Sequence, residues 1–214
     1  MIKVVLADDD PLVRQGIRAI LASADDIDVV ADTADGNQAV QEVLRHNASI
    51  ALLDIRMPVL DGIGAVRRLA ELAPRTRSII LTTFGDDDNI RRALSSGANG
   101  FLLKTTAPGE LVDAVRTVHE GGAHLSPAVT SRVVALLGRD NAESKLLAAQ
   151  RVGALAPREQ EVLGLVARGL SNAEVGRRAH LSEATVKAYV SRIMTKLDCA
   201  NRVQIALLAK EAGL

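Results

Sequence analysis

Val4-Val5-Leu6-Ala7-Asp8-Asp9-Asp10-Pro11 joins four apolar residues directly to three carboxylates and a proline. An apolar run of this length without an internal charge is typical of a strand that is covered on both faces of a parallel sheet. Asp10 before Pro11 is a good N-cap followed by proline at the first helical position. The stretch therefore predicts a buried strand, an acidic turn and a helix over Pro11–Ala22.

The same order, a short apolar run and then an amphipathic stretch, recurs four more times in the first half of the chain. The apolar runs are Val29–Ala31, Ile50–Leu53, Ile79–Leu81 and Phe101–Leu103, and helical patterns follow near 36–44, 63–72, 87–95 and 108–118. Asp28 and Asp32 flank the second run, which predicts an edge strand. Five strand-then-helix units predict an α/β fold with a doubly wound, five-stranded parallel sheet that binds its ligands beyond the carboxyl ends of the strands.

Polar residues follow four of these five runs at that edge of the sheet. They are Asp8-Asp9-Asp10, Asp54, Thr82-Thr83 and Lys104. Clustered carboxylates repel one another unless a cation joins them, and hard oxygen ligands suit Mg²⁺. A carboxylate can also act as a nucleophile that forms an aspartyl phosphate, while Mg²⁺ and a lysine neutralise the transferring phosphoryl group. Each residue alone is equally explained as a helix cap, loop or surface residue, so their joint position carries the prediction.

Four motifs in residues 1–120 resemble those of a receiver domain of a two-component response regulator. They are Ala7-Asp8-Asp9-Asp10-Pro11, Leu52-Leu53-Asp54-Ile55-Arg56-Met57-Pro58 with Asp61-Gly62, Leu81-Thr82-Thr83-Phe84, and Gly97-Ala98-Asn99-Gly100-Phe101-Leu102-Leu103-Lys104. The resemblance implies a flavodoxin-like receiver fold and a histidine kinase that phosphorylates the domain.

The resemblance also assigns roles to single residues. It implies that Asp54 is the phospho-acceptor, and that Asp9, Asp54 and the backbone carbonyl of Arg56 hold Mg²⁺ while Asp8 acts through water. A second group would sense the phosphoryl group: Lys104 by pairing with it, Thr82 by moving toward it and Phe101 by changing rotamer. Phe84, which cannot orient water by hydrogen bonding, leads us to expect slow self-dephosphorylation.

The second half of the chain is basic and shows no strand pattern. Residues 1–124 hold 13 Lys and Arg against 18 Asp and Glu, whereas residues 125–214 hold 13 against 8, which indicates two domains with different partners. Helical patterns are predicted over Pro127–Leu137, Ala142–Val152, Pro157–Ala167, Asn172–Ala179, Glu183–Leu197 and Arg202–Lys210, with a break at 138–141.

The stretch 171–190 reads as helix, tight turn, helix, with Ser171 or Asn172 and then Ser182 as caps. Val186, Val190, Ile193 and Leu197 form one apolar stripe on the second helix, and small residues flanked by cations lie on the opposite face. Such a face can enter a major groove closely. Periodicity alone favours a plain amphipathic surface helix.

Motifs across 153–210 resemble a LuxR/NarL-type helix-turn-helix domain. They include Leu155-Ala156-Pro157-Arg158-Glu159, Gly169-Leu170-Ser171-Asn172-Ala173-Glu174-Val175, Leu181-Ser182-Glu183-Ala184-Thr185-Val186-Lys187, and Lys196-Leu197 with Asn201-Arg202. The resemblance implies binding of double-stranded DNA as a dimer. The residues it places at base or phosphate contacts are Lys187, Ala188, Ser191, Arg192 and Lys196.

Three positions depart from the usual pattern of that family. Ala156 forfeits a helix cap worth about 1 kcal/mol. Gly176, where alanine is more usual, is expected to cost about 1 kcal/mol of helix propensity. Tyr189 stands where histidine is common, which alters one contact of the recognition helix.

Composition excludes several other classes of protein. Two Phe, one Tyr and no Trp leave no stacking platform for single-stranded nucleic acid, and one cysteine excludes a disulfide framework. The short apolar run at the start and the lack of an apolar stretch of about 18 residues predict a cytoplasmic protein without a membrane span.

These observations predict a receiver over 1–121, a partly helical linker over 122–152 and an all-α DNA-binding domain over 153–214. The predicted function is a transcriptional regulator in which phosphorylated Asp54 promotes homodimerisation and DNA binding, with no enzymatic activity beyond its own Mg²⁺-dependent phosphorylation and dephosphorylation. One alternative is a receiver that acts mainly through protein contacts. Another is an Asp-nucleophile phosphatase, whose Asp-x-Asp-x-Thr/Val pattern fails here at Leu12.

Overall fold

The computed structural model describes residues 1–83, 87–126, 129–133 and 142–214, and the chain divides into two compact units, Met1–Thr130 and Ser131–Leu214. The finer boundaries at 121 and 152 stay a prediction. Residues 129–133 are helical, whereas the rest of the predicted helix over Pro127–Leu137 and the break at 138–141 fall largely or wholly outside the described residues. Within the described part, no helix has the length and apolarity that a membrane crossing needs.

Strands and helices alternate along the first unit. The strands are β1 (Ile2–Ala7), β2 (Ile27–Thr33), β3 (Ile50–Asp54), β4 (Arg77–Thr82), β5 (Gly100–Leu103) and β6 (His124–Leu125). The helices are α1 (Pro11–Ala22), α2 (Gly36–His46), α3 (Gly62–Leu72), α4 (Asp87–Ser95) and α5 (Pro108–His119). The predicted alternation is confirmed, and so is the N-cap at Asp10, whose carboxylate accepts the Leu12 N–H at 2.8 Å.

The sheet has six parallel strands in the order β2-β1-β3-β4-β5-β6, so the prediction of five strands was wrong by one. The extra strand is two residues long and pairs His124 with Gly100 and Leu125 with Phe101. A strand of two residues is too short to show an alternation or an apolar run, which is why sequence reasoning assigned it to the linker. The predicted edge position of β2 is confirmed.

The core of the first unit is aliphatic. β1, β3 and β4 are almost entirely buried, as expected for strands covered on both faces, and α1 and α5 pack on the same cluster as Leu6, Leu52 and Ile79. Burying the central strands in this way fixes their carboxyl ends relative to one another, so the polar residues that follow them are held on a rigid edge.

The second unit is entirely helical in its described residues. Its helices are α6 (Ala142–Gly153), α7 (Pro157–Ala167), α8 (Asn172–Ala179), α9 (Glu183–Lys196) and α10 (Arg202–Glu211). All four residues of the predicted α9 stripe are buried in its core, together with Val162, Leu163 and Val175. Ser171 and Ser182 cap α8 and α9 as predicted.

Candidate functional site

The carboxyl ends of β1, β3 and β5 bring four charged side chains together. Lys104 Nζ lies 2.6 Å from Asp8 Oδ2 and 3.2 Å from Asp54 Oδ2. Carboxylate oxygens of Asp8, Asp9 and Asp54 all lie within 4.8 Å of one another. Asp8 and Asp54 are buried, whereas Asp9 faces solvent. The predicted convergence of these residues on one sheet edge is confirmed.

The main chain and one carboxylate oxygen of Asp8 are held by hydrogen bonds, and its other carboxylate oxygen forms the ion pair with Lys104. Its N–H donates to the Thr33 carbonyl of β2 at 3.2 Å, and its Oδ1 accepts the Asp10 N–H at 3.0 Å. Its carbonyl accepts from the Arg14 guanidinium at 2.6 Å, which also lies 3.4 Å from Asp32. Arg14 was missed from the sequence, although its place one turn into α1 is the signal that could have found it.

The β3–α3 loop folds back onto Asp54 because of one glycine. The Gly62 N–H donates to the Ile55 carbonyl at 3.0 Å, and a Cβ on Gly62 would lie only 2.0 Å from the Asp54 carbonyl oxygen. Asp61 caps α3 by accepting the Gly64 N–H at 2.6 Å. The Asp61-Gly62 pair therefore closes the loop that flanks the acidic cluster, because only glycine allows this approach.

The charges of the cluster are not balanced. Burial raises the pKa of Asp54, the Asp8 charge raises it further, and the Lys104 ammonium opposes both. Burial alone would lower the pKa of Lys104, but its hydrogen bonds and the charges of Asp8 and Asp54 raise it overall, so Lys104 remains protonated. Three carboxylates against one ammonium leave excess negative charge beside a solvent-facing carboxylate. This donor set of hard oxygens fits a divalent cation such as Mg²⁺.

The remaining predicted receiver residues surround this cluster. Thr82 is buried at the end of β4, and its carbonyl accepts the Lys104 N–H at 2.8 Å. Phe101 is the largest fully buried side chain among the described residues. It lies on β5 beside the unpredicted β6, and the N–H of Ser126, which follows β6, donates to the Phe101 carbonyl at 3.1 Å. Arg56 is exposed in the β3–α3 loop. Phe84 lies outside the described residues.

In the second unit, α9 exposes the face that sequence reasoning assigned to DNA. Its five members are exposed, and they are Lys187, Ala188, Ser191, Arg192 and Lys196. Lys187 pairs with Glu183 one turn away at 2.9 Å, and Arg192 lies 5.6 Å from the Tyr189 ring centroid. An exposed pair of this kind contributes about 0–1 kcal/mol, so Lys187 can exchange Glu183 for another acceptor at little cost.

Lys196 has a partner that the sequence did not reveal. Its Nζ lies 2.8 Å from the Glu159 carboxylate, which is only 2% exposed and which also accepts the Ala156 N–H at 2.9 Å. The Lys196 hydrogen bond is the main reason that the pKa of Glu159 is lowered, followed by the Ala156 N–H. This ion pair ties the last turn of α9 to the first turn of α7, whose N-cap Ala156 makes no side-chain cap hydrogen bond.

A buried arginine fixes the start of the helix-turn-helix. Arg202 donates to the Asn172 side chain at 2.7 Å and to the Leu170 carbonyl, and burial lowers its pKa to about 10. It thereby connects the first residue of α10 to the first residue of α8, where Ser171 is the cap. Asn172 therefore serves as an acceptor for Arg202 and not as the cap.

The tight turn between α8 and α9 corrects the expectation for Gly176. A Cβ at this position would lie 2.6 Å from the Leu181 carbonyl oxygen. His180, the C-cap of α8, adopts a left-handed conformation with φ 54°, which turns the chain back over Gly176. The glycine is thus required by the close approach of the backbone, and its propensity cost is outweighed.

Family models match both halves of the chain. Residues 4–116 match the response regulator receiver domain, and residues 153–209 match the bacterial regulatory proteins of the LuxR family.

Relatives match the chain over nearly its whole length and over nearly all of their own. The chain is 37% identical over 212 residues to the transcriptional regulatory protein YhcZ of Bacillus subtilis, covering 99% of this chain and 97% of that one. The crystal structure of the response regulator ChrA of a heme-sensing two-component system is 36% identical, with a TM-score of 0.55 and coverage of 98% and 96%. RcsB from Salmonella enterica serovar Typhimurium, bound to the promoter rprA with a phosphomimetic, is 26% identical, with a TM-score of 0.58 and coverage of 99% and 98%.

Proposed function

The chain belongs to the response regulators that join a receiver domain to a LuxR-type DNA-binding domain, and from this premise we propose that Mg²⁺-dependent phosphorylation of Asp54 controls its function as a transcriptional regulator. The observation that carries the proposal is the placement of Lys104 between Asp8 and Asp54 at the carboxyl edge of the sheet. A cognate histidine kinase supplies the phosphoryl group. The relatives' names favour a regulator over an Asp-nucleophile phosphatase.

In this proposal the receiver residues divide between metal and phosphoryl group. Asp9, Asp54 and the Arg56 carbonyl would hold Mg²⁺, with Asp8 acting through water, and when bound the ion would supply positive charge beside the phosphoryl group. An Asp54 carboxylate oxygen forms the new bond to phosphorus as the bond to the donor breaks. Lys104 then exchanges its contact with Asp54 for a phosphoryl oxygen.

The signal would pass from the phosphoryl group to two buried residues. Thr82 moves toward the new charge, and Phe101 changes rotamer, so the surface of β4 and β5 takes a second state. In that state the chain forms a homodimer on a two-fold operator. Because Phe84 cannot hydrogen-bond to water, the phosphorylated state is expected to decay slowly.

The DNA-binding half of the proposal rests on the exposed face of α9. Lys187, Ala188 and Ser191 lie where base or phosphate contacts occur, and Arg192 contacts phosphate. Lys196 is assigned a phosphate contact as well, in competition with its ion pair to Glu159. Small side chains between cations allow a close fit to the major groove.

A phosphodonor experiment tests the proposal. The full chain is incubated with acetyl phosphate and Mg²⁺, and its intact mass is measured together with its dimerisation. One phosphoryl group should be added to the wild type and to Asp25→Ala, which removes an exposed carboxylate outside the cluster. None should be added to Asp54→Ala or after chelation of Mg²⁺. Undiminished labelling of Asp54→Ala would disprove the assignment.

A further inference from the structure

The second unit has a groove along α7 that includes none of the acidic-cluster residues and none of the exposed residues of α9. It has a volume of about 440 Å³ and is lined mainly by one face of that helix. The lining residues are Pro157, Gln160, Glu161, Gly164, Leu165, Arg168, Arg178 and Leu214. The six on or directly after α7 recur at intervals of three, one, three, one and three residues, which is one continuous helical stripe.

The centre of this stripe lies on the side of α7 opposite its buried residues, while Leu165 at the edge of the stripe is partly buried and packs against the core. The buried residues of α7 are Glu159, Val162, Leu163 and Val166. At 100° per residue, the centre of the groove stripe lies about 180° from the centre of that buried face. Since α9 contacts the buried face of α7 through the Glu159–Lys196 pair, the α7 part of the groove lies on the side of that helix opposite α9.

The floor of the groove has room for a foreign main chain. Gly164 lies in the middle of α7, where glycine costs about 1 kcal/mol relative to alanine. Apart from its own helix backbone and chain neighbours, no described atom lies within 4 Å of a Cβ built at Gly164. Unlike Gly62 and Gly176, this glycine is therefore not required by the packing of the domain.

The charge of the groove is positive at one end. Glu161 is neutralised by Arg158 at 2.5 Å. Among the described residues, neither Arg168 nor Arg178 is within 4.0 Å of a carboxylate, although Arg178 acts at longer range on Glu174. Leu165 and Pro157 supply apolar surface beside these guanidinium groups. Guanidinium groups beside apolar surface suit carboxylates on an amphipathic segment.

We propose that this groove is a docking site for an acidic amphipathic segment of a partner protein. The segment's carboxylates contact Arg168 and Arg178, its apolar side chains contact Leu165, and its main chain passes over Gly164. Such a contact leaves the α9 face free, so partner and DNA bind together.

The experiment uses the full chain and a labelled acidic peptide of about 12 residues, about 18 Å as a helix, with Leu at every third or fourth position between Glu residues. Binding is followed by fluorescence anisotropy at low and high salt. We expect saturable, salt-sensitive binding that Arg168→Glu weakens about tenfold or more. Gly164→Leu, which adds a good helix former and fills the floor, should weaken it similarly while leaving DNA binding unchanged.

Matched controls distinguish peptide binding at the groove from nonspecific electrostatic attraction to the protein surface. Arg177→Glu makes the same charge change on α8 outside the groove lining and should bind the peptide as the wild type does. A charge-reversed peptide with Lys in place of Glu should not bind. The proposal is overturned by equal loss in Arg177→Glu, by wild-type binding in Gly164→Leu, by an absence of saturable binding, or by loss of DNA affinity in Arg168→Glu with peptide binding intact. None of these outcomes depends on Asp54.

Discussion

At the scale of single residues, the acidic cluster stores unfavourable charge that a metal ion would relieve. Asp8 and Asp54 are both nearly inaccessible to water, and Lys104 compensates only one of them. The residue types and their strand-end positions were readable from the sequence. The backbone contacts of Arg14 and Gly62 were not, because each depends on how closely two segments approach in three dimensions.

The first prediction is that Asp54→Asn stabilises the metal-free protein at neutral pH. Because burial raises the pKa of Asp54, the folded chain holds this proton more tightly than the unfolded chain does, so stability falls as pH rises through that range. Removing the charge should raise the free energy of unfolding by about 1–3 kcal/mol at neutral pH. The gain should vanish below pH of about 4, where the carboxyl is protonated in both states.

Urea unfolding at several pH values, with and without Mg²⁺, measures this effect. Saturating Mg²⁺ should stabilise the wild type by mass action and Asp54→Asn much less. The difference in free energy of unfolding between the two proteins should therefore become smaller or change sign. Asp25→Asn serves as the exposed control. A destabilised Asp54→Asn at neutral pH without metal would show that the Lys104 contact outweighs the burial of the charge.

The second prediction contrasts two glycines of the receiver. Gly62→Ala should lower stability by several kcal/mol and abolish phosphorylation, because its Cβ would fall 2.0 Å from the Asp54 carbonyl oxygen. Gly16→Ala, in an exposed position of α1 with no neighbour within 4 Å, should instead stabilise the protein by about 0.5–1 kcal/mol. Thermal unfolding and phosphodonor labelling of both variants check this, and equal behaviour of the two would be inconsistent with the loop geometry.

At the scale of elements, the helix-turn-helix is stabilised by contacts that no local sequence pattern predicts. Periodicity correctly predicted α7, α8 and α9 and the buried stripe of Val186, Val190 and Ile193. The Glu159–Lys196 pair spans 37 positions, and the Arg202–Asn172 contact spans 30. Long-range polar contacts of this kind, like the two-residue β6, depend on tertiary packing and leave no period in the sequence.

The third prediction concerns the turn between α8 and α9. Gly176→Ala should destabilise the second unit by about 1–3 kcal/mol despite its higher helix propensity, because the added Cβ meets the Leu181 carbonyl at 2.6 Å. Binding to a specific DNA site should weaken as α9 shifts. Gly164→Ala is the matched control, since it adds the same methyl group to a helix without a close neighbour and should stabilise the unit. Stabilisation by both substitutions would contradict the turn geometry.

At the scale of the whole molecule, the uneven distribution of charge agrees with the two activities of the family. The acidic half carries the carboxylate cluster, and the basic half carries the exposed cations of α9. Charge alone could not separate this from compositional drift. The motifs at the strand ends and across the helix-turn-helix distinguish the two explanations, because they place the charged residues at positions where a receiver and a DNA-binding helix need them.

The fourth prediction is that contacts to the DNA phosphates, contacts to bases and dimerisation each make a contribution to DNA binding that can be measured separately. Lys187→Ala should cost about 1–3 kcal/mol and relax preference at one position of each half-site, whereas Arg192→Ala should weaken all sequences and reduce the salt slope by about one per half-site. Lys196→Ala should reduce the slope only if Lys196 leaves Glu159 for phosphate, and Glu159→Gln isolates the structural part of that loss. Titrations of one palindromic and one scrambled site across salt concentrations, before and after phosphorylation, measure all of these.

Since α9 offers few side chains that could form bidentate base contacts, specificity should be modest and should rise with dimerisation. Salt-insensitive, highly specific binding by a monomer would contradict both the charge argument and the role of the dimer.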